Sequence, residues 1–170
     1  MEIKRNYYLN KLISKQNNKL IKIVTGIRRC GKSYLLDPIF RNYLLDNGVD
    51  ENHIIKLEFD SIENEEYTNP KKLYEYVMQK VVDKDTYYVI LDEIQKVSDF
   101  ESVLNSFLRK SNLDVYVTGS NSKFLSSDII TEFRGRGDEI RVYPLSFSEF
   151  MSVYSGNEIS GLNEYMGDFH

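Results

Sequence analysis

Short apolar runs alternate with segments of helical spacing along the 170-residue chain. The apolar runs are rich in β-branched and aromatic residues, which predicts strands. These predicted strands cover residues 19–25, 53–59, 86–91, 113–118 and 139–143. Between them, apolar residues recur every three or four positions, which predicts helices. The predicted helices cover residues 5–15, the segments after Ser33 and after Pro70, and residues 100–108.

Strands that alternate with helices indicate an α/β fold, with a mainly parallel sheet covered by helices on both faces. Local signals predict several helix ends. Pro38 should kink or shorten the helix that follows Ser33, and Asp46-Asn47-Gly48 should stop it. Ser146 and Glu149 have the spacing of a capping box, so a further helix should open there.

The segment Gly26-Ile27-Arg28-Arg29-Cys30-Gly31-Lys32-Ser33 has the spacing of a phosphate-binding loop, and it lies between the first strand and a helix. Its glycines let backbone N–H groups approach phosphate oxygens. Lys32 supplies positive charge to the β- and γ-phosphates, and the Ser33 hydroxyl can ligate Mg²⁺. The helix that starts here adds its positive end. The motif therefore predicts a nucleoside triphosphate site that extends to Tyr34.

Asp92 and Glu93 follow the apolar run 86–91, at what should be the carboxyl edge of the sheet beside the phosphate-binding loop. A carboxylate there can hold Mg²⁺, and its neighbour can orient or deprotonate an attacking water. We assign Asp92, with Ser33, to magnesium and Glu93 to the water. The alternative is a pair of solvated acids at a strand end.

Two other polar groups have open interpretations. Ser120 and Asn121 follow the fourth strand, where they could reach the γ-phosphate or the attacking water, or could cap a helix. Arg134 and Arg136 lie in a basic turn before the fifth strand. Arg134 is interpreted as a solvated residue. Arg136 is assigned to a phosphate or an interface, because a guanidinium supplied in trans stabilises a transferring phosphoryl group.

Three residues inside the loop carry side chains that could touch a ligand. Arg28 and Arg29 could contact phosphate or adenine, or could pair with nearby carboxylates. Cys30 is interpreted as a small loop residue, and modification of its thiol is expected to block nucleotide binding.

Composition narrows the class of protein. The length suggests one domain and perhaps a fragment of a second. The single cysteine excludes an intrachain disulfide and a cysteine-rich zinc site. A net charge of −4 argues against a broad nucleic-acid surface. The sequence has no run of transmembrane length and no signal-peptide cleavage pattern, so a cytoplasmic location is expected.

The order of the motifs resembles one family. After Gly26–Ser33 come Leu91-Asp92-Glu93-Ile94-Gln95, Thr118-Gly119-Ser120-Asn121-Ser122, Gly135-Arg136 and Tyr143-Pro144-Leu145-Ser146-Phe147-Ser148-Glu149-Phe150. This set resembles the prokaryotic AAA-like ATP-binding proteins that begin with an ATPase domain, and the resemblance covers nearly the whole chain. Its selective part is the Gly-Ile-Arg-Arg start combined with Pro-Leu-Ser-Phe.

The resemblance implies a three-layer α/β/α P-loop NTPase domain of the class with an additional catalytic glutamate. Its five strands would have the spatial order 5-1-4-3-2. It implies an ATPase domain over residues 1–155, in which residues 1–18 form a helix before the core. Residues 156–170 would begin a missing or truncated C-terminal half of nuclease-like or winged-helix type.

The same resemblance implies roles for individual residues. Lys32 and Ser33 would bind phosphate and magnesium, Asp92 and Glu93 would form the acidic pair, and Ser120 or Asn121 would be the polar sensor. ATP and Mg²⁺ are the implied ligands.

The leading functional hypothesis is Mg²⁺-dependent ATP hydrolysis coupled to a conformational change. A nucleotide-dependent switch with little turnover and a small-molecule kinase are the alternatives, and the Asp92-Glu93 pair favours water over a kinase acceptor. The expected partners are ATP and ADP, with a second copy or another protein at Arg134–Arg136. Nucleic acid enters by family analogy alone, and no membrane partner is expected.

Overall fold

The computed structural model describes residues 3–120, 133 and 135–151. Its strands are β1 (Ile21–Thr25), β2 (Ile54–Glu58), β3 (Tyr87–Asp92), β4 (Leu113–Thr118) and β5 (Gly137–Arg141). They form one sheet in the order β2-β3-β4-β1-β5, and all neighbouring strands are parallel. This order is 5-1-4-3-2 seen from the other edge. The predicted α/β fold and strand order are confirmed.

Helices connect the strands. They are α1 (Asn6–Ser14), α2 (Lys32–Tyr34), α3 (Arg41–Asp46), α4 (Pro70–Lys80), α5 (Phe100–Leu108) and α6 (Phe147–Met151), and a π-helical turn, Leu35–Phe40, joins α2 to α3. Short 3₁₀ turns occur at Glu51–His53, Ile62–Thr68 and Ile94–Lys96. No helix in the described ranges has the length and apolar character needed to cross a membrane.

The local signals for helix ends act as predicted. Asp37, the residue before Pro38, has extended backbone angles (φ −146°, ψ 116°) that interrupt the helix after the loop. Gly48 follows α3 with a left-handed φ of +86°. At α6, the Ser146 N–H donates to Glu149 Oε2 at 2.8 Å and the Glu149 N–H donates to Ser146 Oγ at 3.2 Å, which is a reciprocal capping box.

Helices cover both faces of the sheet. Side chains alternate between the two faces along each strand, so each face presents apolar residues that pack against a layer of helices. On one face, Val89 and Val115 pack with residues of α4 and α5, such as Leu73 and Phe107. On the other face, residues of α1 and of the π-helical turn pack with strand side chains; they include Leu12, Phe40, Val24, Ile90 and Tyr116. The sheet is thus the middle layer of three.

Strand direction decides which residues can form one site. In parallel strands the carboxyl ends share an edge, and the register pairs Val24 with Thr118 and Glu58 with Asp92. The phosphate-binding loop leaves β1 at this carboxyl edge. Ligand sites of open α/β sheets lie outside this edge, so the site is sought there.

A buried ionic network lies at the opposite, amino edge on the α1 face. Lys22 is fully buried, and its Nζ donates to Asp114 Oδ1, to the Leu20 carbonyl at 2.8 Å and to Asn18 Oδ1 at 3.2 Å. The second carboxylate oxygen, Asp114 Oδ2, accepts from the Tyr116 hydroxyl at 2.7 Å and from a backbone N–H at 3.0 Å. Both charges are fully engaged, so the network ties β1 to β4.

Candidate nucleotide-binding site

The glycines of the phosphate-binding loop occupy positions that other residues would strain. Gly26 has a φ of +148°, and a Cβ there would lie 2.4 Å from the Val142 carbonyl oxygen and 2.7 Å from Cys30 Sγ. Gly31 has a φ of +92° and precedes α2 directly. Backbone of this shape brings successive N–H groups toward one point, as phosphate binding requires.

Lys32 lies across the loop. Its side chain is buried, with 4% of the residue exposed, and its Nζ donates to the Gly26 carbonyl at 3.0 Å and to the Ile27 carbonyl at 2.9 Å. The ammonium is thereby held over the loop rather than in solvent. A charge held there suits the predicted role toward phosphate oxygens.

Ser33, Asp92 and Thr118 form a hydrogen-bonded group that joins the loop to β3 and β4. The Ser33 hydroxyl lies 2.9 Å from Asp92 Oδ1 and 2.8 Å from Oδ2. The Thr118 hydroxyl donates to Asp92 Oδ1 and accepts from the Glu93 N–H at 2.9 Å. The predicted magnesium residues, Ser33 and Asp92, are therefore in direct contact.

Glu93 follows β3 in a left-handed backbone conformation, with a φ of +58°. For a residue other than glycine this conformation costs about 1–2 kcal/mol, and such residues cluster at functional sites. Its carboxylate accepts from the Ser120 hydroxyl at 3.0 Å and from the Gln95 side-chain amide. Ser120 and Glu93, which the sequence assigned to catalysis, thus lie together.

Asp92 lies in an environment that opposes its negative charge. Burial raises the pKa of this carboxyl, the hydrogen bonds from Thr118 and Ser33 lower it, and the nearby charges of Glu93 and Asp60 raise it again; the net shift is upward. A divalent cation would relieve this repulsion, and a carboxylate beside a hydroxyl provides the hard oxygen donors that Mg²⁺ prefers. These residues therefore fit the predicted metal.

We expect Asp92→Asn to stabilise the ligand-free chain by about 1 kcal/mol at neutral pH. A carboxyl whose pKa is raised by folding costs stability once the pH rises above its ordinary value near 3.8. The advantage of the variant should therefore be small at pH 3, below that value, and larger at pH 7.5. Urea unfolding at these pH values measures it, with the exposed Asp46→Asn as control. A variant less stable at pH 7.5 would show that the hydrogen bonds to Asp92 outweigh the repulsion.

Two of the cavities beside the loop differ in chemical character. The first, the charged cleft, has a volume of about 470 Å³ and is lined by Arg28, Asp60, Glu93, Gln95, Lys96 and Ser120. The second, the apolar cavity, has a volume of about 640 Å³ and is lined by Ile3, Arg5, Arg29, Cys30, Gly31, Tyr34, Pro144 and Leu145. One side of the loop is thus charged, and the other suits a flat apolar group.

The remaining loop residues distribute between these surfaces. Arg28 lines the charged cleft, and Arg29 and Tyr34 line the apolar cavity. In the described part of the chain, neither Arg28 nor Arg29 forms a salt bridge with a carboxylate. Ile27 is 59% exposed, whereas Cys30 is buried in the core beneath the loop.

Arg136 does not lie with the loop. It directly precedes β5 at the amino edge, where its carbonyl accepts from the Ile21 N–H at 2.9 Å and its guanidinium donates to Asn105 at 2.7 Å. The length of a five-residue strand, about 15 Å, separates it from the loop. Arg136 is therefore too far from the loop of its own chain to contact a phosphate bound there. Asn121 and Arg134 lie outside the described residues, as do the predicted boundary at residue 155 and the segment 156–170.

Sequence reasoning missed two site residues. Thr118 forms hydrogen bonds with both Asp92 and the Glu93 backbone. Its hydroxyl at the carboxyl end of a buried strand is the sequence feature that could have identified it. Gln95 contacts Glu93 through its amide nitrogen, while its Oε1 is buried without a hydrogen-bond partner among the described residues. The turn that follows β3 places the Gln95 side chain against the Glu93 carboxylate, and hydrophobic periodicity does not predict this contact.

Comparison with known proteins shows which family the chain is similar to. Residues 18–151 match the family model described as an AAA domain. The chain is 35% identical over 150 residues to an uncharacterized protein of Haemophilus influenzae, covering 88% of this chain and 37% of that protein. It is 29% identical over 161 residues to an uncharacterized protein of Methanocaldococcus jannaschii, covering 88% and 34%. The chain thus spans about a third of the length of these relatives.

A solved structure shows the same fold. The Walker-type ATPase of Pyrococcus abyssi superposes with a TM-score of 0.61 at 18% identity, covering 96% of this chain and 63% of that one. At this identity the likeness concerns the fold alone. The family match covers most of the chain, and the sheet order fits the fold of this structural neighbour. The chain therefore belongs to the AAA domain family.

Proposed function

We propose that this chain binds ATP with Mg²⁺ at the loop Gly26–Ser33 and hydrolyses the β–γ bond. The observation that supports this most strongly is the connected group at the carboxyl edge. Ser33 contacts Asp92, Thr118 links Asp92 to Glu93, and Ser120 contacts the Glu93 carboxylate. A metal-binding pair and a carboxylate for water thus adjoin one phosphate-binding loop.

Each group has a role in this proposal. The loop N–H groups and Lys32 bind the phosphates, and Ser33 and Asp92 hold Mg²⁺, which supplies positive charge to the phosphate oxygens. Glu93 accepts a proton from the attacking water. Ser120 orients the Glu93 carboxylate. The apolar cavity accommodates the base, and Tyr34 and Leu145 are among the residues that line it.

One observation favours the alternative of a switch with little turnover. Ser120 and Gln95 both engage the Glu93 carboxylate, which occupies the oxygens that water would need. Coupling of hydrolysis to a conformational change would then depend on release of Glu93 when the γ-phosphate is present.

Phosphate release from ATP and Mg²⁺ tests the proposed function, with binding of a fluorescent ATP analogue measured on the same preparation. The proposal expects binding and turnover that both require Mg²⁺. Binding without turnover would favour the switch. Competition with GTP tests the base, and displacement by GTP in preference to ATP would overturn the assignment to ATP.

We expect Lys32→Ala to weaken ATP binding by roughly a hundredfold or more, because the variant loses charged hydrogen bonds to the phosphates. Binding of adenosine, which has no phosphate, should change little. Titration of both ligands measures this, with the exposed Lys71→Ala of α4 as control. Equal losses for ATP and adenosine would instead indicate collapse of the loop, since Lys32 also holds the Gly26 and Ile27 carbonyls.

A further inference from the structure

Arg5 is a buried charge that belongs to no sequence motif described above. Only 2% of it is exposed, although arginine is rarely buried so fully unless its donors are paired. Its carbonyl accepts from the Leu9 N–H at 3.0 Å, so its backbone is fixed at the start of α1. Its guanidinium lies 4.5 Å from the centre of the Tyr8 ring, which fixes the side chain further.

The guanidinium joins three separate parts of the chain. Nη1 donates to the Cys30 carbonyl at 2.6 Å, Nη2 donates to the Tyr143 carbonyl at 2.6 Å, and Nε donates to Glu149 Oε1 at 3.2 Å. The planar fork of arginine holds such partners in a fixed relative geometry, which a lysine ammonium does not.

The first of these contacts reaches the nucleotide-binding loop itself. The Cys30 carbonyl belongs to the peptide that precedes Gly31, and a Cβ on Gly31 would lie 3.1 Å from Arg5 Nη1. The next two residues are Lys32 and Ser33. Arg5 thus holds the backbone that aims the phosphate-binding groups.

The other two contacts reach the segment that follows β5. Glu149 accepts from Arg5 through Oε1 and from the Ser146 N–H through Oε2, so one carboxylate serves both the guanidinium and the capping box of α6. The Tyr143 N–H donates to the Tyr8 hydroxyl at 3.1 Å. Arg5 and Tyr8 therefore connect the loop to Tyr143 and to the start of α6 through hydrogen bonds.

We propose that Arg5 is a positioning residue that couples nucleotide occupancy of the loop to the segment 143–151. This inference rests on the proposed function. A phosphate that reorients the Cys30-Gly31 peptide shifts the guanidinium, and the shift passes to Tyr143 and to Glu149 at α6. Because coupling is reciprocal, an ordered α6 strengthens nucleotide binding by the same factor.

The test compares nucleotide affinity with nucleotide-induced protection of residues 143–151 from hydrogen exchange. A fluorescent ATP analogue with Mg²⁺ gives the affinity, and exchange is followed with and without ATP and Mg²⁺. The 170-residue chain is compared with Arg5→Lys and Glu149→Gln. The partly exposed pair Arg41 and Glu51 supplies matched controls, Arg41→Lys and Glu51→Gln.

In the unmodified chain, ATP should slow exchange in 143–151. Arg5→Lys should bind ATP roughly tenfold more weakly, because a lysine cannot hold the loop peptide and α6 together. Glu149→Gln keeps an oxygen that accepts from the Ser146 N–H, so α6 is retained. It should still bind ATP but lose the protection of 143–151.

Wild-type affinity and protection in both variants would overturn the inference. ATP binding by the unmodified chain with no change in 143–151 would also overturn it, while leaving the proposed function intact. Failure of the unmodified chain to bind ATP would overturn both. If Arg5→Lys does not fold, the exchange measurement on Glu149→Gln decides.

Discussion

Replacing Glu93 by glutamine should reduce phosphate release by about 10²–10⁴-fold while ATP affinity stays close to that of the unmodified chain. The amide cannot accept a proton from water, but it matches the carboxylate in size and can still accept from Ser120. The change therefore affects the chemical step and leaves the phosphate-binding loop in place. Single-turnover phosphate release and titration with a fluorescent ATP analogue measure the two quantities separately.

The control is Glu75→Gln, which neutralises an exposed glutamate on α4. It should leave both quantities unchanged. Normal turnover in Glu93→Gln would remove Glu93 from the mechanism. Binding without turnover in both the unmodified chain and the variant would favour the switch, and the contacts of Glu93 with Ser120 and Gln95 would then describe its resting state.

The parts of the fold that local chemistry determines were predictable from the sequence. The backbone break at Asp37 follows from the Pro38 ring, and the start of α6 follows from reciprocal hydrogen bonds between Ser146 and Glu149. Both depend on residues close in sequence. The strand order came from a family resemblance, because periodicity does not say which strands are neighbours.

The candidate site divides in the same way. Contact between Ser33 and Asp92 was predictable, because Ser33 lies in the phosphate-binding loop after β1, Asp92 ends β3, and the carboxyl ends of these strands meet at one edge. The position of Arg136 was not predictable from the sequence. A basic turn before β5 can lie at either edge of the sheet until the direction and register of β5 against β1 are known. The role of Arg5 was not predictable from the sequence, because Arg5 belongs to no motif and its partners, Cys30 and Glu149, are distant in sequence.

The contacts of polar residues inside strands are the remaining feature that the sequence pattern does not predict. Lys22 and Asp114 interrupt apolar runs, and only strand pairing reveals that they meet each other in the core. Their contact is specified by the parallel register of β1 and β4. In the sequence, Lys22 and Asp114 each look like a polar residue that does not fit an apolar strand. In the structure, the two residues belong to one hydrogen-bonded network.

Lys22→Ala should lower the free energy of unfolding by about 3–5 kcal/mol, because it leaves the Asp114 charge buried without its cation. Burial lowers the pKa of Lys22 while Asp114 raises it, and the net shift is downward, so the ammonium is already costly to bury. The ion pair reduces that cost only while both members are present. Urea unfolding measures the loss.

Lys15→Ala is the matched control, because Lys15 and Asp138 form a partly exposed pair at the same edge of the sheet. Exposed ion pairs contribute about 0–1 kcal/mol, so this partly exposed pair should contribute less than the buried pair of Lys22 and Asp114. The double variant Lys22→Met with Asp114→Leu should recover part of the loss, since it removes both charges, although the Tyr116 hydroxyl then loses its acceptor.

If Lys22→Ala were no more destabilising than Lys15→Ala, water would have to reach Asp114, and the amino edge of β1 and β4 would be more open than the structure indicates. ATP affinity of the folded fraction should not change in any of these variants, because the network lies at the edge opposite the phosphate-binding loop.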